Sequence, residues 1–185
     1  MIPVAIDTET TGLVEGKHEI IQVAITCFNP DFKPTGIRFL SYIKPLRPEL
    51  AHNEAMTING LCLSELIKEA PTPNQVRAAL LNWKEELFGE EKLFPLGHNY
   101  SFDKGFLKLF LKDLYDAMFH YKFRDTFILV QALRDAGILP DTVHTKLDQL
   151  CEYFKIPCHK AHDAYYDTVR TLEVYKNLIG LIKVP

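Results

Sequence analysis

Apolar residues recur along the chain first in short β-branched runs and then, further on, at helical spacing. "PVAIDTET", "EIIQVAITCFN" and "GIRFLSYIKP" have the length and composition of strands. The short gaps between them predict an antiparallel meander. A small helical region follows over "ELAHNEAMTING", with Asn59-Gly60 as its stop signal. In "PNQVRAALLNWKEELFGEE", Val76, Leu80, Leu81, Trp83 and Leu87 mark the inner stripe of an amphipathic helix. "LFPLGHN" reads as a short buried strand, and "SFDKGFLKLFLKDL" as a helix with Ser101 as its N-cap. "KFRDTFILVQALRDAG" predicts a short strand running into a helix that ends at Gly137, and "KLDQLCEYFKI" a helix stopped by Pro157. "DAYYDTVRTLEVYKNLIGLIK" is a long final helix. The pattern predicts an α/β fold: a mixed five-stranded sheet, three antiparallel strands and then parallel ones, flanked by helices. No repeat, low-complexity tract or long linker interrupts it, and 185 residues suit a single domain over 1–185.

Composition changes this picture little: 47% hydrophobic and 24% charged residues are ordinary for a globular chain. No apolar run approaches the ~20 residues that cross a membrane. "MIPVAIDTE" lacks the basic and long apolar regions of a signal peptide, so a cytoplasmic protein is expected. Cys27, Cys62, Cys151 and Cys158 are sparse and irregularly spaced, as reduced thiols are. "CEYFKIPCHKAH" gathers Cys151, Cys158, His159 and His162, but the spacing matches neither paired C-x-x-C nor finger-type zinc sites, and Cys151 reads as a small apolar helix residue. A net charge of −3 argues against a protein that coats long nucleic acid through a broad basic surface. It leaves room for an enzyme that holds a few nucleotides through bound metal ions.

Four acids sit on otherwise apolar elements. Asp7 and Glu9 in "AIDTETTGL" fall on one face of a strand, ~6.6 Å apart. Asp103 is expected at about the second helical position after Ser101, on the stripe of Phe106, Leu107 and Phe110, and Asp167 shares a stripe with Thr171, Val174 and Leu178. Each has an individual explanation. Asp103 could favour the positive end of its helix, Asp167 could pair with Arg170 on the surface, and Asp7 and Glu9 could be an exposed strand end. Asp163, at a helix start, reads as an N-cap. One metal site accounts for the four together. Oxygen ligands without a thiolate or imidazole set suit Mg²⁺ or Mn²⁺, and two ions ~4 Å apart serve in-line displacement at phosphorus.

Asp7-Thr8-Glu9, "HNYSFD" around Asp103, and "HDAYYD" from His162 to Asp167 resemble, in order and separation, the three motifs of the DEDD 3′–5′ exonucleases. H-x-A-x-x-D is similar to the DEDDh branch, which includes the proofreading epsilon subunit of bacterial DNA polymerase III. "KPLRPELAHNEAMTINGL" and "RDT" extend the resemblance over almost the whole chain. It implies a ribonuclease H-like fold and hydrolysis that releases nucleoside 5′-monophosphates from DNA 3′ ends. Asp7, Glu9, Asp103 and Asp167 would hold two Mg²⁺ or Mn²⁺ ions, and His162 would be the general base; a solvated loop histidine is the plain alternative.

The resemblance also implies that the turn after Glu9 meets the terminal nucleotide, through Thr10, Gly12 and an apolar side chain, Leu13, which could equally be a core leucine. His98 and Asn99 would shape the site or touch substrate. Phe102 and Tyr100 are candidate stacking surfaces for a single strand, or core aromatics. The partners implied are single-stranded DNA or DNA 3′ ends, with no membrane; a DNA polymerase or another replication or repair protein is implied by the resemblance alone. An exoribonuclease acting on short RNA or RNA 3′ ends, and a catalytically silent nucleic-acid-binding domain, remain alternatives.

Overall fold

The computed structural model describes residues 1–157 and 163–182. Strands β1 (Ile2–Thr10), β2 (Ile20–Phe28) and β3 (Pro34–Tyr42) form the expected antiparallel meander. Strands β4 (Leu93–Gly97) and β5 (Arg124–Asp125) add in parallel beyond β1, giving the order β3-β2-β1-β4-β5 with β1 at the centre. The helices are α1 (Asn53–Asn59), α2 (Leu63–Glu69), α3 (Pro73–Phe88), α4 (Tyr100–Leu111), α5 (Asp113–Met118), α6 (Thr126–Asp135), α7 (Leu147–Tyr153) and α8 (Ala164–Ile182).

Strand register sorts the side chains of β1 onto two faces. Val4, Ile6 and Thr8 stand beside Cys27, Ile25 and Val23 on one face. Val76 and Leu80 of α3 and Phe106, Leu107 and Leu111 of α4 complete the core there. Ala5, Asp7 and Glu9 stand beside Thr26, Ala24 and Gln22 on the other face, which α8 covers. The small side chains let that helix lie close. The hydroxyls of Thr26 and Thr168 are 2.7 Å apart, and Ala164 N–H donates to Gln22 Oε1 at 3.0 Å. All of β2 is buried between the layers, and each Ile or Val enclosed this way contributes about 1.5–3 kcal/mol.

Pairing of β1 with β4 stops at Ala5 and Leu96, whereas β1 runs on to Thr10. Asp7 to Thr10 therefore project past the parallel pair into a crevice at the carboxyl ends of the strands, where open α/β sheets place their sites. A register shift between Glu9 and Thr10 turns the strand outwards there.

Several boundaries differ from the sequence pattern. Ser101 is not an N-cap: α4 begins two residues earlier, after Asn99, and Asp103 becomes its fourth residue rather than its second. The region 49–60 splits into a 3-10 turn, Pro48–Leu50, and α1, which does stop at Gly60, with φ 65°. Helix α2 has no counterpart in the prediction. Leu87 is 49% exposed; Lys84 takes the inner position on α3, burying its stem and donating from its ammonium to the Gly89 carbonyl. Helix α7 ends at Tyr153, before the positive φ of Lys155 (56°), so Pro157 is not what stops it. Among the described residues no helix is long and apolar enough to cross a membrane.

Candidate active site

Asp7 and Glu9 are half-buried on the α8 face of β1, and Asp167, in the first turn of α8, is 5% exposed. One carboxylate oxygen from each of the three lies within 4.8 Å of the other two. Asp103 reaches the cleft from the opposite side of the strand. It is 4% exposed, and its Oδ1 accepts a 2.7 Å hydrogen bond from the Thr8 hydroxyl, the side chain that lies between Asp7 and Glu9 and points towards α4. The four acids line a 330 Å³ cleft with His98, Asn99, Phe102, Lys146, Leu147, Asp148 and Arg170.

Crowding sets the electrostatics. Burial raises the Asp7 carboxyl well above the ordinary range, and the charges of Asp103, Asp167 and Glu9 raise it further. Burial and the charges of Asp167, Asp103 and Asp163 push Glu9 up to about 8. Burial pushes Asp103 up to about 7, although the Thr8 hydrogen bond works the other way. Carboxylates this reluctant to ionise together are suited to a compensating divalent cation. A hard, all-oxygen donor set matches Mg²⁺ or Mn²⁺ rather than a thiolate-seeking metal. The residues present therefore fit the metal that the motif pattern implies.

Arg170 supplies positive charge from within the fold. Its Nη2 is 2.6 Å from Asp167 Oδ1 and its Nη1 is 2.9 Å from Asp148 Oδ1. The i,i+3 pair offered as a surface alternative for Asp167 thus forms, but it is buried. Asp125 is a residue the motif reading did not single out for chemistry. Its carboxylate accepts N–H bonds from Asn99 (3.0 Å), Tyr100 (2.8 Å) and Phe127 (2.8 Å), capping α6 and the start of α4 together. An Asp ahead of "TFILVQAL" is a local cap signal; its grip on Asn99 and Tyr100 has no local trace.

The remaining sequence candidates divide. Thr10 and Gly12 form the turn after Glu9. The Thr10 hydroxyl donates to the Gly12 carbonyl (2.8 Å), Thr11 N–H donates to the Glu19 carbonyl (2.9 Å), and the Thr11 hydroxyl accepts from Glu19 N–H (2.9 Å). A side chain at Gly12 would strike the His18 ring at 2.6 Å. Leu13 is 78% exposed, so it is not a core leucine. His98 lines the cleft with Nδ1 2.7 Å from the Thr126 hydroxyl, and burial lowers its pKa. Asn99 takes a left-handed conformation (φ 58°, ψ 44°) at the cleft edge, and Phe102 is half-buried on its wall, its ring tilted against that of Phe106 with centroids 4.9 Å apart. Tyr100 is no stacking surface: it is fully buried, with its hydroxyl 3.0 Å from that of Tyr115. Asp163 caps α8, accepting from the N–H groups of Tyr165 and Tyr166. Cys151 is buried on α7; Cys158, His159 and His162 lie outside the described residues.

A mixed sheet of this order, with an acidic cleft at the end of its central strand, defines the class as the ribonuclease H-like nucleases. The family follows from comparison. Residues 4–175 match the exonuclease family RNase_T, and the chain belongs to it as a 3′–5′ exonuclease of the DEDDh type. It is 24% identical over 180 residues to the 3′–5′ DNA exonuclease Cap18 of Escherichia coli, covering 94% of this chain and 89% of that one. It is 26% identical over 188 residues to ribonuclease T of Shewanella baltica (strain OS155), covering 96% and 81%. Among solved structures, the zinc-bound complex of E. coli exonuclease I with single-stranded DNA shares its fold at a TM-score of 0.78 and 23% identity. That match covers 98% of this chain but 40% of the other, so the chain spans less than half of the solved protein.

Proposed function

We propose that the protein is a divalent-metal-dependent 3′–5′ exonuclease that shortens single-stranded DNA from its 3′ end and releases nucleoside 5′-monophosphates. The observation that carries this reading is the convergence of Asp7, Glu9 and Asp167 within 4.8 Å of one another, with Asp103 held beside them by Thr8. These four carboxylates are the candidates to hold two Mg²⁺ or Mn²⁺ ions. Ions bound there would neutralise charge on the scissile phosphate and ease ionisation of an attacking water.

The other steps fall to the chain. His162, five residues before Asp167, would take the proton from the attacking water; an ordinary imidazole, with a pKa of about 6.5, is largely neutral at pH 7 and able to accept it. The braced turn at Thr10 and Gly12 would meet the terminal nucleotide, with the exposed Leu13 side chain against its base. Phe102 would offer a stacking face to the strand, and His98 and Asn99 would border the phosphate path.

Similarity to a DNA exonuclease supports DNA as substrate, and similarity to ribonuclease T supports RNA 3′ ends as the second reading. The deciding experiment incubates 5′-labelled single-stranded DNA and a matching RNA with the protein in Mg²⁺, Mn²⁺ or EDTA. A metal-dependent ladder that recedes from the 3′ end, faster on DNA, is expected. Faster shortening of RNA would replace the DNA reading, and no shortening of either polymer by folded, metal-loaded protein would overturn the catalytic assignment.

A further inference from the structure

Arg170 is buried one turn after Asp167 on α8, with its side chain 5% exposed. A guanidinium rests there only when its charge is matched, and two carboxylates match it. Nη2 meets Asp167 Oδ1 at 2.6 Å, and Nη1 meets Asp148 Oδ1 at 2.9 Å. Those acids belong to different helices, α8 and α7, so a single planar group spans the seam between them. Asp148 is half exposed and lines the same cleft, yet stands outside the cluster formed by Asp7, Glu9 and Asp167.

We propose that Arg170 is a positioning residue: it sets the Asp167 carboxylate for divalent-ion binding and uses Asp148 as its anchor on α7. The proposal rests on the reading of Asp167 as an ion ligand. An Asp side chain has two torsions, and a ligand free to sample them must be ordered each time an ion binds. The rigid fork of an arginine removes that freedom on one side, while one oxygen of the Asp167 carboxylate stays within 4.8 Å of oxygens of Asp7 and Glu9. Groups that orient a metal ligand in this way have a large effect on affinity, about 10–100-fold when removed. The competing role, simple charge compensation, has the opposite sign. A mere counter-charge repels the incoming cation, so its removal would tighten ion binding.

The test measures Mn²⁺ binding by titration calorimetry, alongside kcat and KM on single-stranded DNA, for the wild-type protein, Arg170→Gln, Arg170→Lys, Asp148→Asn and the Arg170→Gln/Asp148→Asn double variant. Arg170→Gln is expected to weaken Mn²⁺ binding about tenfold or more and to lower kcat while KM for DNA changes little. Arg170→Lys recovers part of the affinity, because one ammonium restores charge without bridging both acids. Asp148→Asn loses less than Arg170→Gln, and the double variant is no worse than Arg170→Gln alone, since both break one linkage.

Tighter Mn²⁺ binding by Arg170→Gln would overturn the proposal in favour of charge compensation, and additive losses in the double variant would overturn the anchor. If Arg170→Gln fails to fold by circular dichroism, Arg170→Lys and Asp148→Asn decide: unchanged Mn²⁺ affinity in both overturns the proposal. Asp167→Asn tests the underlying reading separately, because wild-type Mn²⁺ affinity in that variant would remove Asp167 from the ligand set whatever Arg170 does.

Discussion

Asp7 and Asp167 both belong to the acidic cluster, but they stand in opposite electrostatic surroundings. Asp7 is pressed by three other carboxylates, and burial works against its charge as well; Asp167 has the Arg170 guanidinium at 2.6 Å. Replacing either by its amide should abolish nucleotide release, yet the effects on the fold should differ in sign. In EDTA, Asp7→Asn removes a carboxyl whose charge is opposed by burial and by its three acidic neighbours, and should raise the melting temperature, more so as pH rises. Asp167→Asn strands a buried guanidinium and should lower it. A change of about 1 kcal/mol corresponds to roughly 2–4 °C in a chain of this size. Thermal unfolding of the two variants checks this, and a loss of melting temperature in both would contradict the charge-crowding account. His162→Ala should cost about 10²–10⁴ in kcat, with part of the rate returning at higher pH as hydroxide replaces the missing base. A constant ratio to wild type across pH would exclude that role. At this scale the sequence was informative where charge interrupts an apolar stripe, as at Asp7, Glu9, Asp103 and Asp167. It was silent on Asp148, an ordinary surface acid until α8 brings Arg170 beside it, and it left open whether Leu13 is exposed or core, because that depends on where the turn after β1 leads.

Apart from the short helices α2 and α5, the elements were legible, because alternation and helical spacing report which face of each is buried. Their ends were less so, and α4 shows why. Ser101 is a good local cap, but the carboxylate of Asp125 takes the N–H groups of Asn99 and Tyr100, so the helix starts ahead of the serine. The left-handed Asn99, a conformation uncommon outside glycine, is held by the same acceptor. Asp125 therefore joins the β4–α4 turn to the start of α6 and fixes the height of Asp103 in the cleft. Asp125→Ala should destabilise the fold by about 2–4 kcal/mol, combining a lost N-cap of about 1 kcal/mol with buried N–H groups left unsatisfied. It should also lower kcat, since the start of α4 carries Asp103. Urea unfolding measures the first effect, and Asp125→Asn, which keeps one acceptor oxygen, should recover part of it. A loss under 1 kcal/mol for Asp125→Ala would show that water or a neighbouring group satisfies those N–H groups instead.

At the scale of the whole molecule, the sheet order β3-β2-β1-β4-β5 brings acids from positions 7 and 9, 103 and 167 to the end of one strand. The mixed sheet was visible in the spacing of the strands; the crevice was not, because it depends on β1 outrunning its pairing with β4. This convergence ties global stability to pH in an unusual direction. Buried carboxylates usually have partners that lower their pKa values, so stability falls with acid. Here Glu9 is raised from 4.5 to about 8 and Asp103 from 3.8 to about 7, with Asp7 raised as well. Between about pH 4 and pH 8 these sites then bind more protons in the folded chain than in the unfolded one. The slope of unfolding free energy against pH follows protons bound unfolded minus folded, so these groups make it negative. In EDTA the melting temperature should therefore fall as pH rises through this window, most steeply at about pH 5.5–6, where Glu9 and Asp103 are both protonated in the folded chain and ionised in the unfolded one. A divalent ion that binds the ionised cluster stabilises the folded state by mass action, and more strongly at higher pH, where fewer protons must leave. Adding Mg²⁺ or Mn²⁺ should consequently flatten or reverse the slope, with the metal-induced gain at pH 8 exceeding that at pH 5. Calorimetric scans across pH, with and without metal, check both halves. A melting temperature that rises from pH 5 to pH 8 in EDTA would mean that the four carboxylates are already compensated within the protein, and that the cleft does not depend on an ion to hold their charge.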